Sequence, residues 1–187
     1  MDTSKVIETF VNTLKAGGVV LGPSDTCYGL YCDATNKEAI QKVFRIKQRD
    51  KGKPVSMIVA DRAMAEQYVK WDDQVEEMWD NYVPGPYTLV VPKLEDINIP
   101  VSLDYRIGIR VPKNPLLIEV VKKFGGPIVA TSANTSGEPV HYDFEGVKKD
   151  IGIGDIDYIY SKESVPKTPQ STLIIWHREK TKIQKRN

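Results

Sequence analysis

Hydrophobic residues along this chain switch between a helical spacing and short continuous apolar runs. From Val6 to Leu14 they recur every three or four positions, which predicts an amphipathic helix that ends at Gly17-Gly18. Residues 19–21 then form a short apolar run that is typical of a buried strand. The two patterns continue to alternate as far as residue 185, so the chain is predicted to be an α/β protein.

The other predicted elements follow the same patterns. Thr35 and Glu38 have the spacing of a capping box at the start of a helix, and Asn114-Pro115 places a cap before a proline that suits the first helical turn. Further helices are predicted at 35–47, 61–69, 73–81, 114–122 and 143–149. Strands are predicted at 55–60, 87–91, 106–111, 127–131, 157–160, 171–176 and 181–185.

Several of these strands follow one another without a helix between them. Because such neighbours can pair antiparallel, the sheet is predicted to be mixed. The length of 187 residues favours a single domain over 1–187. Segments 92–100 and 161–170 are predicted loops, and the second is placed so that it can cover a ligand.

The charge and cysteine content narrow the class of protein. Lys and Arg number 26 and Asp and Glu 25, so any anion site must be local and the chain has no general attraction to nucleic acid. The N-terminus lacks an apolar signal region, and no apolar run approaches the ~20 residues that span a bilayer. A cytoplasmic protein with free thiols and no membrane contact is predicted. No metal site is predicted, because the spacing of Cys27, Cys32, His141 and His177 is unlike that of zinc ligands.

Three polar segments fall at the ends of predicted elements. They are residues 23–30 (PSDTCYGL), Lys47-Gln48-Arg49 and residues 131–134 (TSAN). Each also has a plain structural explanation as a polar turn, as cations at a helix end, or as a cap. Arg110 alternates with apolar neighbours and could equally face solvent. Because open α/β sheets bind ligands at strand ends, the set together predicts a site for an anion with hydroxyl and amine groups.

Common nucleotide and hydrolase motifs do not explain these segments. Gly17 and Gly22 have P-loop spacing, but the lysine that should follow is missing. The chain has neither a complete dinucleotide fingerprint nor a nucleophile elbow. Ser132 with His141 as its base stays open as a hydrolase alternative.

Taken in order, the segments resemble a known family. Residues 23–30, Lys47-Gln48-Arg49, PGPYT at 84–88, GIRVP at 108–112, TSANTSG at 131–137 and Ser171-Thr172 are similar to blocks of the YrdC/TsaC type of threonylcarbamoyl-AMP synthase. The resemblance extends from about Val6 to Lys185. It implies a YrdC-like twisted mixed parallel and antiparallel sheet, flanked by helices, with a concave positively charged face.

The resemblance also implies an activity. The family joins L-threonine, bicarbonate and ATP into threonylcarbamoyl-adenylate with release of pyrophosphate, for threonylcarbamoyladenosine modification of tRNA. ATP is then a substrate that brings Mg²⁺, and a TsaD-type transferase complex is the implied partner. By resemblance the amino-acid positions are Ser24, Asn114, Ser132 and Ser171. The nucleotide positions are Lys47, Lys51, Arg110, Asn134, Tyr142 and Lys185, and the catalytic positions are Lys47, Arg49, Ser132 and Asn134.

The chain departs from the family pattern at four positions. Ser24 replaces a threonine, Asn114 a frequent histidine, Asp50 a proline and Lys185 an arginine. Two competing hypotheses remain. One is an RNA-binding module, since residues 178–186 carry five cations and one acid that can contact RNA. The other is a YrdC-like paralogue that uses another carbamoyl-adenylate substrate.

Overall fold

The computed structural model describes residues 2–50, 53–97, 99–101, 104–161, 165, 167–178 and 180–185. The described residues form six helices and nine strands. The helices are α1 Thr3–Lys15, α2 Lys37–Ile46, α3 Arg62–Ala65, α4 Asp73–Tyr82, α5 Pro115–Phe124 and α6 Phe144–Ile151. The strands are β1 Val20–Pro23, β2 Tyr28–Asp33, β3 Ser56–Ile58, β4 Tyr87–Pro92, β5 Arg106–Arg110, β6 Ile128–Ser132, β7 Tyr158–Ile159, β8 Thr172–Ile175 and β9 Lys182–Gln184.

All nine strands belong to one sheet in the order β7-β1-β2-β6-β3-β5-β4-β8-β9. The pairs β1–β7, β3–β5 and β4–β8 are parallel, and the other neighbouring pairs are antiparallel. The predicted mixed sheet with flanking helices is therefore confirmed. No helix within the described ranges is long and apolar enough to cross a bilayer.

Two local predictions about helices were wrong. The N-cap of α2 is Asn36, whose side-chain oxygen accepts the Ala39 N–H, whereas the Thr35 hydroxyl bonds the Asp33 carboxylate. The capping-box prediction was therefore one residue early. The helix predicted at 61–69 shrinks to the single turn Arg62–Ala65, because Val69 leaves the helix to form a bridge with Lys93. The cap at Asn114 and the left-handed glycine end of α5 at Gly125 are confirmed.

Strand β2 was missed entirely, because residues 23–30 were interpreted as a polar turn. The turn is confined to Ser24 through Cys27, and Tyr28–Asp33 runs between β1 and β6 inside the sheet. Five of the six residues of β2 are buried. A strand covered on both faces has no alternation of apolar and polar residues, so its period gave no signal.

The two faces of the sheet are covered differently. One face packs against α2, α4 and α6 through a large apolar cluster that includes Leu30, Met57 and Ile109. The opposite face packs against α1 and α5 through a smaller cluster that includes Tyr31 and Ile58. The same strands continue beyond this second cluster with small or polar residues, and this uncovered part of the face forms the floor of a cleft.

Candidate functional site

The floor of the cleft consists of small side chains from neighbouring strands. Ser56 of β3 lies opposite Ala130 of β6 on one side and Gly108 of β5 on the other, and Gly29 of β2 pairs with Ser132. A Cβ atom at Gly108 would come 2.9 Å from the Ser56 hydroxyl. Because neighbouring strands carry small residues at these paired positions, a ligand can approach the backbone of the sheet closely.

Three adjoining cavities make up the cleft. The first has an empty volume of about 550 Å³ and lies between Ser24, Arg110 and Ser171. The second, about 640 Å³, adds Lys47, Arg49 and Asn134, and shares with the first Ser56, Ala130, Thr131, Ser132 and Gln170. The third, about 1080 Å³, joins the second along Arg49, Pro54, Val55 and Ser56 and adds Lys53 and Arg106. These shared walls make the cleft continuous.

Lys47 reaches the cleft because of the way α2 ends. The Arg49 N–H bonds Phe44 O and the Gln48 N–H bonds Arg45 O, which is the Schellman pattern that terminates a helix. Gln48 takes the left-handed conformation that glycine favours at this position, with φ at 48°. The chain therefore reverses at Gln48, and Lys47 and Arg49 both line the second cavity.

The Lys47 ammonium is buried, with 1% of the residue exposed. It donates to Ser132 O, to Asn134 O at 2.7 Å and to Asn134 Oδ1 at 2.9 Å. Because an ammonium has three protons, its donors are fully used by the β6 turn. Burial, with a smaller contribution from the Arg49 charge, lowers the pKa of Lys47 to about 8. Lys47 therefore supplies a fixed positive charge and holds the turn that carries Ser132 and Asn134.

One hydrogen-bond donor of the Arg49 guanidinium has no partner among the described residues. Its Nη2 donates to Pro54 O at 2.8 Å, while its buried Nε has no acceptor among the described residues. Burial lowers the pKa of this guanidinium. Since buried donors are nearly always paired in proteins, the free Nε–H suits a ligand oxygen in the adjoining cavities.

Arg110 is held in place rather than directed to solvent, so the alternative that it faces solvent was wrong. Its Nη2 donates to Asp25 Oδ1 at 2.7 Å and its Nε to Gly85 O at 3.3 Å. The other carboxylate oxygen of Asp25 accepts the Lys113 N–H at 3.0 Å. The two side chains are 11% and 15% exposed, so the ion pair is largely shielded from water. Asp25 therefore fixes the guanidinium at the wall of the first cavity.

Hydroxyl groups complete the cleft. The Ser132 hydroxyl donates to Asn134 Oδ1 at 2.6 Å, and the Asn134 amide donates in turn to Glu138 O. Across the first cavity, the Ser171 and Thr88 hydroxyls lie 2.8 Å apart. These groups are the uncharged polar partners that an amino acid or a ribose needs.

A cluster of Thr135, His141 and Asp150 supports the turn after β6. The Asp150 carboxylate accepts from Thr135 Oγ1 at 2.6 Å, from Thr135 N at 3.0 Å, and lies 2.7 Å from His141 Nε2. The bond to Asp150 occupies Nε2 of His141, whereas the Ser132 hydroxyl bonds Asn134, so the two residues do not form a hydrolase pair. Burial raises the pKa of Asp150, but the hydrogen bonds from Thr135 and His141 outweigh it and leave the pKa lowered.

Asp150→Asn is expected to reduce stability by about 1–3 kcal/mol at neutral pH, because the amide cannot accept all the bonds that the carboxylate accepts. A carboxyl group with a lowered pKa in the folded state contributes stability above its unfolded pKa and loses it as the pH falls through the folded value. Urea unfolding at a series of pH values should therefore show the two proteins converging in acid. A difference that stays constant from neutral to acid pH would contradict this role for Asp150.

Similarity to known proteins establishes the family of the chain. The model of the Sua5/YciO/YrdC family, whose description reads "Telomere recombination", matches residues 12–186. The chain belongs to the Sua5/YciO/YrdC family. A Methanocaldococcus jannaschii relative is 32% identical over 173 residues, which are 92% of this chain and 81% of that protein. A Vibrio campbellii relative, named threonylcarbamoyl-AMP synthase, is 33% identical over 156 residues, which are 79% of this chain and 82% of that protein.

A solved structure contains the fold of this chain as part of a longer protein. The crystal structure of P. abyssi Sua5 complexed with L-threonine superposes with a TM-score of 0.88 at 25% sequence identity. The superposition covers 98% of this chain and 54% of the P. abyssi chain. The fold described above is therefore a Sua5/YciO/YrdC fold.

The structure brings together most of the predicted Sua5/YciO/YrdC site residues. The residues that line the first two cavities include Ser24, Lys47, Arg49, Arg110, Ser132, Asn134 and Ser171. The positive charge of the face as a whole stays a prediction. No group of three or more His, Cys, Asp or Glu residues that could hold a metal ion occurs in the described part of the chain. Cys27 and Cys32 are buried free thiols, as predicted.

Three predicted residues do not line the cleft in the described structure. The side chain of Asn114 caps α5 through the Leu117 N–H, and the Tyr142 hydroxyl donates to Thr168 O at 3.4 Å. Lys185 follows β9 and is exposed. Lys51 lies outside the described residues, as do parts of the two predicted loops and of the segment 178–186. Substrate contacts by these residues stay predictions.

Three residues that shape the site were missed. Asp25 belongs to the segment 23–30, but nothing in the sequence identified Arg110 as its partner. Tyr31 was missed together with strand β2. Asp150 lies 15 residues from Thr135 on another element, so no local pattern connected the two. The one local signal for Asp25 was its negative charge within a polar turn.

Proposed function

We propose that this chain is a threonylcarbamoyl-AMP synthase, a nucleotidyltransferase that uses L-threonine, bicarbonate and ATP. The observation that carries the proposal is one continuous cleft in which Lys47, Arg49 and Arg110 lie beside the hydroxyls of Ser132 and Ser171. Fixed cations suit a triphosphate, and the neighbouring hydroxyls suit a small amino acid. The relative named as a synthase, which this chain covers over most of its length, supports an enzyme over an RNA-binding module.

The reaction has two steps. The threonine amine first attacks the carbon of bicarbonate, the C–OH bond of bicarbonate breaks, and its hydroxyl leaves as water with one amine proton to give the carbamate. A carbamate oxygen then attacks the α-phosphorus of ATP, and the bond from that phosphorus to the β-bridging oxygen breaks as pyrophosphate leaves. Negative charge collects on the non-bridging and leaving oxygens in the transition state. Positioned cations stabilise that charge without any covalent bond to the protein.

Different residues of the cleft bind the substrates and stabilise the charge of the transition state. No described residue accepts from the Nε–H of Arg49, which suits a phosphate oxygen. Lys47 adds a nearby fixed charge while it holds the turn that carries Ser132 and Asn134. Arg110, anchored by Asp25 and Gly85, keeps its Nη1 for a carboxylate or phosphate. ATP would bring Mg²⁺ bound to its phosphates.

The cellular setting follows from the same proposal. The adenylate would pass to a TsaD-type transferase complex for tRNA modification. A direct RNA contact through the segment 178–186 and a cytoplasmic location stay predictions from the sequence.

The test is chemical detection of the product. The purified protein, mixed with ATP, L-threonine and ¹³C-bicarbonate, should form a threonylcarbamoyl-adenylate that carries the isotope, measured by mass spectrometry. Pyrophosphate release should require all three substrates. A folded protein that binds ATP but forms no such adenylate would overturn the proposal.

A further inference from the structure

The hydroxyl of Tyr31 is buried at the edge of the cleft, and none of the described residues forms a hydrogen bond with it. Tyr31 is 1% exposed and its hydroxyl oxygen has no partner among the described residues. A buried hydroxyl left unpaired is a net cost to folding, and such groups in native proteins usually have a functional reason. The free hydroxyl therefore needs an explanation.

The Ser24 hydroxyl lies close to that of Tyr31, but its hydrogen-bonding capacity is already taken by its own turn. The Ser24 hydroxyl donates to Cys27 O at 2.8 Å and accepts the N–H groups of Thr26 at 3.0 Å and Cys27 at 3.1 Å. A hydroxyl has one proton and two lone pairs, so this turn uses all of them. Ser24 is near Tyr31 but has no free proton or lone pair with which to bond the Tyr31 hydroxyl. For the same reason, Ser24 shapes this end of the cavity more readily than it binds a ligand.

The position of the Tyr31 hydroxyl is fixed from both sides. The ring lies along β2 toward Gly29, where an added Cβ atom would come 2.6 Å from the hydroxyl oxygen. On its other side the ring packs against Phe10 with centroids 5.6 Å apart. Gly29 and Tyr31 both line the first cavity, together with Arg110. The phenol is thus directed at the floor of that cavity and cannot swing away without disturbing the α1 cluster.

The chemistry of the neighbours indicates which part of an amino acid would reach it. Arg110 offers the cation that an α-carboxylate needs. Burial raises the pKa of Tyr31, so the phenol stays neutral and is a poor partner for an ammonium. Because Arg110 in the same cavity takes the carboxylate, the phenol, which can both donate and accept, is left for the side-chain hydroxyl.

We propose that Tyr31 is a specificity-determining residue that hydrogen-bonds the side-chain hydroxyl of the amino-acid substrate. This inference rests on the proposed function, since it assumes that the first cavity holds the amino acid. A buried polar group that pairs with a substrate hydroxyl is left unpaired by an analogue that lacks it, and the analogue is rejected. Valine has nearly the shape of threonine without its hydroxyl, so it is the informative comparison.

The experiment compares threonine with valine in the wild-type protein and in Tyr31→Phe. The wild type should prefer threonine, and Tyr31→Phe should lower kcat/KM for threonine by about 10–100-fold, the loss expected for one buried hydrogen bond. The value for valine and the KM for ATP should stay unchanged. Tyr158→Phe is the matched control, because Tyr158 packs against the same α1 cluster and does not line the cleft described above.

The outcomes separate this inference from the proposed function. Unchanged discrimination in Tyr31→Phe, or an equal loss for threonine and valine, would overturn the role of Tyr31. Absence of any adenylate from the wild type would instead overturn the proposed function. Calorimetric binding of threonine and valine to the wild type gives a second test that needs no variant. Equal affinities there would show that no group in the site recognises the hydroxyl.

Discussion

Replacing Lys47 with methionine is expected to lower turnover by about 10²–10³-fold, the loss typical when one fixed stabilising group near a transition state is removed. Methionine keeps the apolar stem but removes the charge and the three donors to the β6 turn. The variant should stabilise the leaving pyrophosphate less well and should hold Asn134 less firmly in place. Pyrophosphate release with saturating ATP, threonine and bicarbonate measures the effect.

Lys122→Met is the matched control, because Lys122 is on α5 with half of its side chain exposed and pairs with Glu119. It should leave turnover unchanged. Near-UV circular dichroism should show that both variants are folded. Full turnover in folded Lys47→Met would remove this residue from the mechanism.

The same lysine gives a pH dependence with a definite sign. With a pKa of about 8, Lys47 is cationic below that pH and loses its charge as the pH rises through it. The kcat/KM for ATP should therefore decline on the alkaline side with an apparent pKa near 8, because this parameter reports groups of the free enzyme. The residual activity of Lys47→Met should lack this decline. A wild-type profile that stays flat to strongly alkaline pH would contradict the assignment.

Arg110→Ala is expected to lower kcat/KM by about 10²–10³-fold, because it removes a prepositioned guanidinium from the wall of the first cavity. It also leaves the Asp25 carboxylate, 15% exposed, without its ion-pair partner. An unpaired carboxylate of this kind should reduce the free energy of unfolding by about 1–3 kcal/mol. Steady-state kinetics and urea unfolding on the same preparation measure the two losses.

A double variant separates the two effects. Arg110→Ala with Asp25→Ala removes the unpaired carboxylate as well, so stability should recover while activity stays low. Arg110→Lys should fall between wild type and alanine, since an ammonium cannot contact Asp25 and Gly85 and still present a fork to the substrate. Recovery of activity in the double variant would mean that Arg110 acts by neutralising Asp25 and has no role toward the substrate.

Both predictions depend on how the sheet is ordered. Arg110 ends β5 and Ser132 ends β6, and β3 separates these two strands in the sheet. Lys47 comes from the end of α2 and reaches the turn after β6 across 85 residues of sequence. The cleft is therefore built from elements distant in sequence, and each contributes one or two side chains.

The sequence by itself determined the alternation of helices and strands, the mixed character of the sheet and the cap of α5. These features depend on local periodicity and on the backbone preferences of Asn, Pro and Gly. Both are set by residues that are close together in the sequence. It also identified Lys47, Arg49, Ser132 and Asn134 as a set, because their segments resemble family blocks in a fixed order.

Only the tertiary structure decided which partners these side chains have. Strand β2 gave no periodic signal, because both of its faces are buried, so Tyr31 was missed with it. The pairs Arg110 with Asp25 and Thr135 with Asp150 join separate elements, and charge or hydrogen-bonding capacity alone does not select one distant partner among many. The Lys47 donors and the Ser24 hydroxyl are fully used, whereas the Tyr31 hydroxyl has no partner among the described residues. This difference depends on distances of a few tenths of an ångström. Such distances are fixed by packing across the whole sheet, and no local pattern in the chain encodes them.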